Sequence, residues 1–258
     1  MFRGEKGAPG RERLMKNYRM LIAYDGSRYY GWQRQPGRNT IQGKLEGVLG
    51  VMCGRETEVV GAGRTDAGVH ARGMTANALL ETEFSCLEIR DYLNRYLPED
   101  IAVLEVREAS PRFHARYNAL GKTYCYTCQD GEVREVFDRR YCTRQEERPD
   151  LDKMREAAEL LKGEHDFRNF CINPKMKKST VRRVDRIDVV RQKDYLKFYF
   201  HGNGFLQNMV RIMVGALLEV GCGRMTPEAL GEALENPARQ KAGPTAPAQG
   251  LCLMEVDY

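Results

Sequence analysis

Residues 58–80 read EVVGAGRTDAGVHARGMTANALL, and the two strands that this stretch predicts bear on the fold of the whole chain. Residues 58–68 predict a strand that runs into a turn, and residues 73–80 predict a second strand. The turn contains three glycines, which is typical of tight backbone, at positions 61, 63 and 68. Because one strand follows the other with no helix between them, the stretch favours an antiparallel sheet.

The glycine-rich turn does not fit either of two common phosphate-binding loops. A dinucleotide-binding loop needs glycine at position 66 and a helix directly afterwards, and position 66 is Asp66. A Walker loop needs Gly-Lys-Ser or Gly-Lys-Thr, which the turn lacks. What remains is one carboxylate, Asp66, two residues after Arg64. Its type and position fit either a catalytic group in a pocket or a plain Asx-turn.

Outward from this turn, the hydrophobic pattern predicts two halves of similar strand and helix content. Residues 17–108 form the first half, and their further elements are a strand at 18–24, a helix capped by Asn39 or Thr40, a helix at 85–97 and a strand at 101–107. Residues 109–258 form the second half, with a strand at 121–128, helices at 151–162, 206–221 and 226–236, a hairpin at 181–191 and 194–202, and a closing strand LCLMEVDY. The fold class is therefore α+β, with antiparallel sheets and helices on one face.

Composition and charge narrow the function classes. The chain of 258 residues has no run of 18 apolar residues, so we expect no membrane span. Its basic start has no apolar core of a secretory signal, so we expect a flexible tail at 1–16 and a cytoplasmic location. The net charge is +5, and residues 1–20 hold six basic residues against two acidic ones. An argument that the protein binds nucleic acid therefore depends on local patches of positive charge and not on the net charge.

Metal chemistry is not expected. The eight cysteines are scattered, and the pair Cys125 and Cys128 lies in a strand-like run, where positions i and i+3 point to opposite faces. A structural zinc site would also need a second pair of ligands at suitable spacing, which the sequence lacks.

Two stretches have the composition of a nucleic-acid contact. Residues 168–186 hold seven basic residues against one acidic residue, a candidate for binding phosphates. The loop from Arg28 to Arg34 interleaves aromatic and arginine side chains, which suits stacking and backbone contact, and Trp32 lies within it.

At this point the motifs amount to a resemblance. The chain resembles the TruA family of tRNA pseudouridine synthases over residues 18–258, through GRTDAGVHA (63–71), YDGSRYYGWQRQ (24–35), FHARYNALGKTY (113–124), GEHDFRNF (163–170), STVRRV (179–184), NGFLQNMVRIMVG (203–215) and AQGLCLMEVDY (248–258).

The resemblance implies an isomerase that converts uridine in RNA to pseudouridine without a metal or cofactor. The family's catalytic aspartate falls on Asp66, as a nucleophile at C1′ or a base at C2′. The active-site tyrosine falls on Tyr124, expected to stack on the flipped base, and the arginine that pairs with the carboxylate falls on Arg211. From the residues alone, Tyr124 also fits a core aromatic, and Arg211 fits a narrow solvated stripe on an apolar helix.

The resemblance further implies RNA-recognition-like halves with Asp66 in the cleft between them, and a homodimer that holds one tRNA across both subunits. The expected target is the anticodon stem-loop, at positions 38, 39 and 40. Two alternatives remain open: a paralogue that acts on another RNA site, and a catalytically silent RNA-binding protein. The candidate RNA contacts are Arg64, Arg28, Trp32, Arg34, Lys175, Lys177, Lys178, Arg182 and Tyr124.

Overall fold

The structure is a computed structural model that describes residues 15–173, 179–236 and 242–258. Lys175, Lys177 and Lys178 lie outside the described residues, as does most of the tail expected at 1–16. Within these bounds the strands are β1 (Met15–Tyr24), β2 (Val59–Gly61), β3 (His70–Glu81), β4 (Ile101–Ala109), β5 (Gly121–Gln129), β6 (Thr143–Arg144), β7 (Gly163–Asp166), β8 (Val181–Gln192), β9 (Tyr195–Gly202) and β10 (Leu251–Asp257). The α-helices are α1 (Ile41–Cys53), α2 (Cys86–Tyr96), α3 (Leu151–Leu160), α4 (Met209–Gly221) and α5 (Pro227–Glu235).

The strands form a single mixed sheet in the order β4-β1-β3-β10-β5-β9-β8-β7, with β2 beside β3 and β6 beside β5. The first half of the chain supplies β1 to β4 and the second half supplies β5 to β10. All pairs are antiparallel except β10 with β3 and β5 with β6. The sheets of the two halves are therefore joined in the middle by the last strand, and the α+β fold class is confirmed.

Alternation along the strands places the helices on one face of the sheet. Along β9, Leu196, Phe198 and Phe200 are fully buried in the core, whereas Lys197 and Tyr199 line an open cleft on the opposite face. Period-two alternation of this kind is what a sheet covered on one side requires. The buried faces of all five helices pack into the same core.

Local sequence explains where several helices begin. Thr40 caps α1 by accepting a hydrogen bond from Gly43 N at 3.3 Å, so the second of the two expected caps is used. At α2, Ser85 and Glu88 form a reciprocal capping box. At α4 the helix begins at Met209 rather than 206, because Asn208 adopts a left-handed conformation with φ of 61°.

Other elements also differ from the prediction. β3 begins at His70 rather than 73, and β1 begins at Met15, so the last two residues of the expected tail pair with β3. β7 was not predicted, because only four residues form it and they lack an apolar pattern. Among the described residues, no helix has the length and apolar character needed to cross a membrane.

Candidate active site

The turn that carries Asp66 is held by the loop that follows β1. The backbone N–H of Trp32 donates to Thr65 O at 3.1 Å, and the Tyr24 hydroxyl lies 2.8 Å from Thr65 Oγ1. Gly31 has a φ of 87°, and a Cβ built on it would lie 2.5 Å from Thr65 O. The residue before Asp66 is thus fixed by both backbone and side-chain contacts.

Trp32 belongs to this packing and not to an RNA-facing surface. Its side chain is 3% exposed, and a Cβ built on Gly61 would lie 2.5 Å from the indole ring. The Tyr24 ring packs beside it, with centroids 6.1 Å apart. The prediction that Trp32 stacks on RNA is therefore wrong, since the residue is buried in the core.

Asp66 lies in a cavity of about 360 Å³ between the two halves of the sheet. Its side chain is 26% exposed, and Arg211 Nη1 lies 3.8 Å from Asp66 Oδ2. Burial raises the pKa of the Asp66 carboxyl, while the Arg211 cation and a hydrogen bond from the backbone N–H of Asn208 partly offset that rise. The arrangement places one partly desolvated carboxylate beside a cation, and that cation favours the ionised form of the carboxylate.

Arg211 is oriented by its own contacts. Its Nε donates to Ala246 O at 2.7 Å, and its Nη1 donates to Asn208 Oδ1 at 2.8 Å. The side chain is only 16% exposed. The solvated-stripe interpretation is therefore wrong: Gln207 precedes the helix, and Glu219 pairs with Arg224 near the far end of α4.

Tyr124 lines the same cavity from β5. It is 8% exposed, and its ring meets Phe205 edge-on with centroids 5.4 Å apart. Burial, and then the negative charge of Asp66, raise the pKa of the Tyr124 hydroxyl well above its ordinary value. Tyr124 is thus both a buried aromatic and a cavity-lining side chain, so the two interpretations of its position are compatible.

The other predicted contact residues divide into two groups. Arg64 and Arg182 line the Asp66 cavity. Arg28 donates to Asp100 Oδ2 at 2.6 Å in a separate cleft, and Arg34 lies 3.3 Å from carboxylate oxygens of Glu46 and Glu56. Both of these arginines are exposed. Their contact with RNA stays a prediction.

Several residues of the site were not singled out from the sequence. Phe205 packs on Tyr124, Asn208 joins Asp66 to Arg211, and Lys122 lines the cavity. Strand alternation offers a signal for one of them, because Lys122 and Tyr124 are two residues apart on β5 and share a face. No local pattern marks Asn208, whose role depends on its left-handed backbone.

The cysteine pair lies outside this site. Cys128 is fully buried in the core, whereas Cys125 lines the cleft on the open face of the sheet, so the two point to opposite faces as the spacing predicts. In the described parts of the chain, no three His, Cys, Asp or Glu residues are grouped in a way that could hold a metal ion.

Comparison with known proteins places this site in a family. A family model described as tRNA pseudouridine synthase matches residues 20–118 and 157–258. The chain is similar to tRNA pseudouridine synthase A of Bacillus sp. (strain KSM-64), with 46% identity over 95% of this chain and 100% of that protein. It is also similar to tRNA pseudouridine synthase A of Syntrophotalea carbinolica, with 44% identity over 95% of this chain and 97% of that protein.

A solved Cbf5-Nop10-Gar1 complex is a more distant match, with 15% identity and a TM-score of 0.35 over 78% of this chain and 45% of the matched chain. That likeness is too low to add to the assignment. The family match covers most of the chain on both sides of the cavity, and the two bacterial relatives are matched along nearly their whole length. The chain belongs to the tRNA pseudouridine synthase family, a family of isomerases.

Proposed function

We propose that the protein isomerises uridine to pseudouridine in the anticodon stem-loop of tRNA, at positions 38, 39 and 40, with Asp66 as the reacting carboxylate. Family membership supports the reaction class, and the resemblance of the motifs to the TruA family supports the target. The observation that carries the role of Asp66 is its position: it is the one carboxylate among the described residues lining the cavity, and it faces Arg211.

The proposed reaction balances without an added reagent. The N1–C1′ bond of the uridine breaks, the base turns, and a C5–C1′ bond forms. The proton on C5 is lost and N1 gains one, so no electrons enter or leave and no cofactor is needed. Asp66 either attacks C1′ or removes the proton at C2′. Both routes need an ionised carboxylate, which the Arg211 cation and the Asn208 N–H favour.

Tyr124 is proposed to contact the base after it leaves the RNA stack. An enzyme that acts on a base must extrude it into a pocket, where aromatic side chains can pack against it. Because burial and Asp66 raise the pKa of Tyr124, its hydroxyl stays protonated at neutral pH. This favours stacking and hydrogen bonding by the neutral side chain over removal of the C5 proton by a phenolate.

The assembly is proposed to be a homodimer that holds one tRNA across both subunits, as the resemblance implies. A paralogue that acts on another RNA site and a silent RNA-binding protein are the alternatives. The site argues against the silent RNA-binding protein, because Asp66 and Tyr124 line one cavity and Arg211 Nη1 lies 3.8 Å from Asp66 Oδ2, an arrangement fit for chemistry.

Pseudouridine mapping of total RNA, from cells with and without the protein, separates these possibilities. We expect loss of pseudouridine at tRNA positions 38, 39 and 40, restored by the wild-type chain and not by Asp66→Ala. Loss at another RNA position would replace the proposed target. Unchanged maps, or restoration by Asp66→Ala, would overturn the proposed reaction or the role of Asp66.

A further inference from the structure

Three basic side chains besides Arg64 line the Asp66 cavity: Arg116, Lys122 and Arg182. They come from three separate segments, the loop before β5, β5 itself and β8. Asp66 already faces Arg211, so it does not balance this group. Among the described lining residues, the cavity therefore carries an excess of positive charge on its walls.

Lys122 lies deepest in this group. A Cβ built on Gly63 would lie 3.6 Å from both Cε and Nζ of Lys122, so the lysine runs along the segment that leads to Asp66. It also shares a strand face with Tyr124. Burial, and then the charges of Arg116 and Arg182, lower the pKa of Lys122. The lysine is thus held near two cations and away from bulk water.

No carboxylate pairs with Arg116, Lys122 or Arg182 in the described parts of the chain. Arg182 Nη1 donates to the backbone carbonyls of Ser179 and Val181, at 2.9 and 2.6 Å, and these acceptors are neutral. The fold neutralises a buried charge elsewhere: Arg191 Nη2 lies 2.7 Å from Oδ2 of Asp130, whose side chain is fully buried. Lys122 and Arg182 are half-buried, whereas Arg116 is exposed. Half-buried cations without an acid are costly, and an anionic ligand would offset that cost.

We propose that Lys122, with Arg116 and Arg182 beside it, binds a backbone phosphate next to the nucleotide that enters the cavity. This inference rests on the proposed function, since an RNA substrate carries a phosphodiester on each side of every nucleotide. A lysine ammonium binds phosphate as a point charge, and guanidinium groups add directional hydrogen bonds. The anchored phosphate fixes the ribose so that C1′ faces Asp66, which makes Lys122 a positioning residue.

The first test measures equilibrium binding of tRNA against salt concentration for the wild type, Lys122→Met and Lys122→Arg. We expect Lys122→Met to bind about tenfold more weakly and to reduce the slope of log K against log salt by about 0.7 to 0.9, which corresponds to one lost phosphate contact. Lys122→Arg keeps the charge and should keep the wild-type slope. Lys153→Met removes an exposed lysine on α3 and serves as the matched control.

The melting temperature separates binding from a structural role. Removing an unpaired cation beside two others relieves repulsion, so Lys122→Met should melt no lower than the wild type. An unchanged salt slope, or a slope that falls equally in Lys153→Met, would overturn the phosphate site. Because binding is measured without turnover, a reduced slope supports the site even if the wild type forms no pseudouridine, in which case only the proposed reaction fails.

A second test uses RNA in which one phosphodiester beside the target uridine is replaced by an uncharged methylphosphonate. At the contacted position, the wild type should lose about tenfold in affinity, and Lys122→Met should lose clearly less, because only Arg116 and Arg182 remain to contact that phosphate. If the losses of affinity caused by the methylphosphonate and by Lys122→Met add up at both flanking positions, Lys122 contacts neither phosphate. That result would overturn the proposal.

Discussion

Arg211 Nη1 lies 3.8 Å from Asp66 Oδ2, and the same nitrogen donates to Asn208 Oδ1 at 2.8 Å. The two charged residues come from opposite halves of the chain and meet in the cleft between them. Asn208 is the link, because its side chain holds the guanidinium while its backbone N–H contacts the carboxylate. The ionisation of Asp66 therefore depends on how the start of α4 is placed.

Replacing Arg211 should move the acidic limb of the activity profile. Arg211→Gln removes the cation that lowers the pKa of Asp66, so the carboxylate will protonate at higher pH and activity will fall earlier on acidification. We expect kcat/KM to drop about tenfold to hundredfold at neutral pH. Arg211→Lys keeps the charge and should keep the limb closer to the wild-type position. Identical limbs in all three proteins would show that Arg211 does not control Asp66.

Asp66→Asn should stabilise the folded protein at neutral pH while abolishing activity. Burial raises the pKa of Asp66, so the native state binds its proton more tightly than the unfolded chain does. Stability then falls as pH rises from the ordinary pKa of 3.8 through the raised value, and the asparagine avoids that loss. Melting temperatures of the wild type and of Asp66→Asn, measured from pH 3 upward, should diverge only when the pH exceeds about the ordinary pKa of aspartate. Glu156→Gln, which changes an exposed acid on α3, serves as the control, and its melting temperature should follow that of the wild type at every pH. A melting temperature of Asp66→Asn below that of the wild type at pH 7 would contradict the prediction.

Tyr124→Phe should leave the fold and RNA affinity nearly unchanged and slow the reaction. None of the described residues hydrogen-bonds to the Tyr124 hydroxyl, so its removal should cost less than about 0.5 kcal/mol of stability. The ring keeps its contact with Phe205. If the hydroxyl contacts the reacting base, single-turnover rates should fall by about 10². A wild-type rate would assign Tyr124 to packing alone.

Trp32→Ala should destabilise the protein by about 3–5 kcal/mol in urea unfolding, because the indole fills the space between Gly61 and Tyr24. Trp32→Phe should be milder and should bind tRNA as the wild type does, since the ring is buried. Trp32 is the single tryptophan of the sequence, so its emission reports this packing directly in the wild type. A tenfold loss of RNA affinity in a stable Trp32→Phe protein would restore the stacking role.

Patterns that repeat along the chain were sufficient to predict most of the elements. The cap at Thr40, the hairpin of β8 and β9 and the strand alternation in β5 all depend on residues within one segment. The joining of two antiparallel sheets was also expected, although nothing in LCLMEVDY shows that β10 lies parallel to β3.

Contacts between distant segments could not be predicted in the same way. The aromatic and arginine composition of the loop from Arg28 to Arg34 fits an exposed loop as well as a buried one. The close approach of Gly61 to the indole shows that Trp32 is buried. Likewise, an apolar segment with Gln207, Arg211 and Glu219 at spacings of four and eight fits a solvated stripe until Asp66 is placed opposite Arg211. The start of α4 differs because the left-handed backbone of Asn208 serves the site at the expense of helix length.

The central position of β10 has a consequence for folding. β10 follows β3 and β5 in the sequence and lies between them in the sheet, so each of those strands keeps an open edge until β10 pairs with both. Its register with β3 comprises two residue pairs, Cys252 with His70 and Leu253 with Ala71, whereas its register with β5 extends over six. The cleft around Asp66, to which Leu251 contributes, is therefore assembled in the step that joins the two sheets, and a chain in which β10 has not docked presents unpaired edges that invite aggregation.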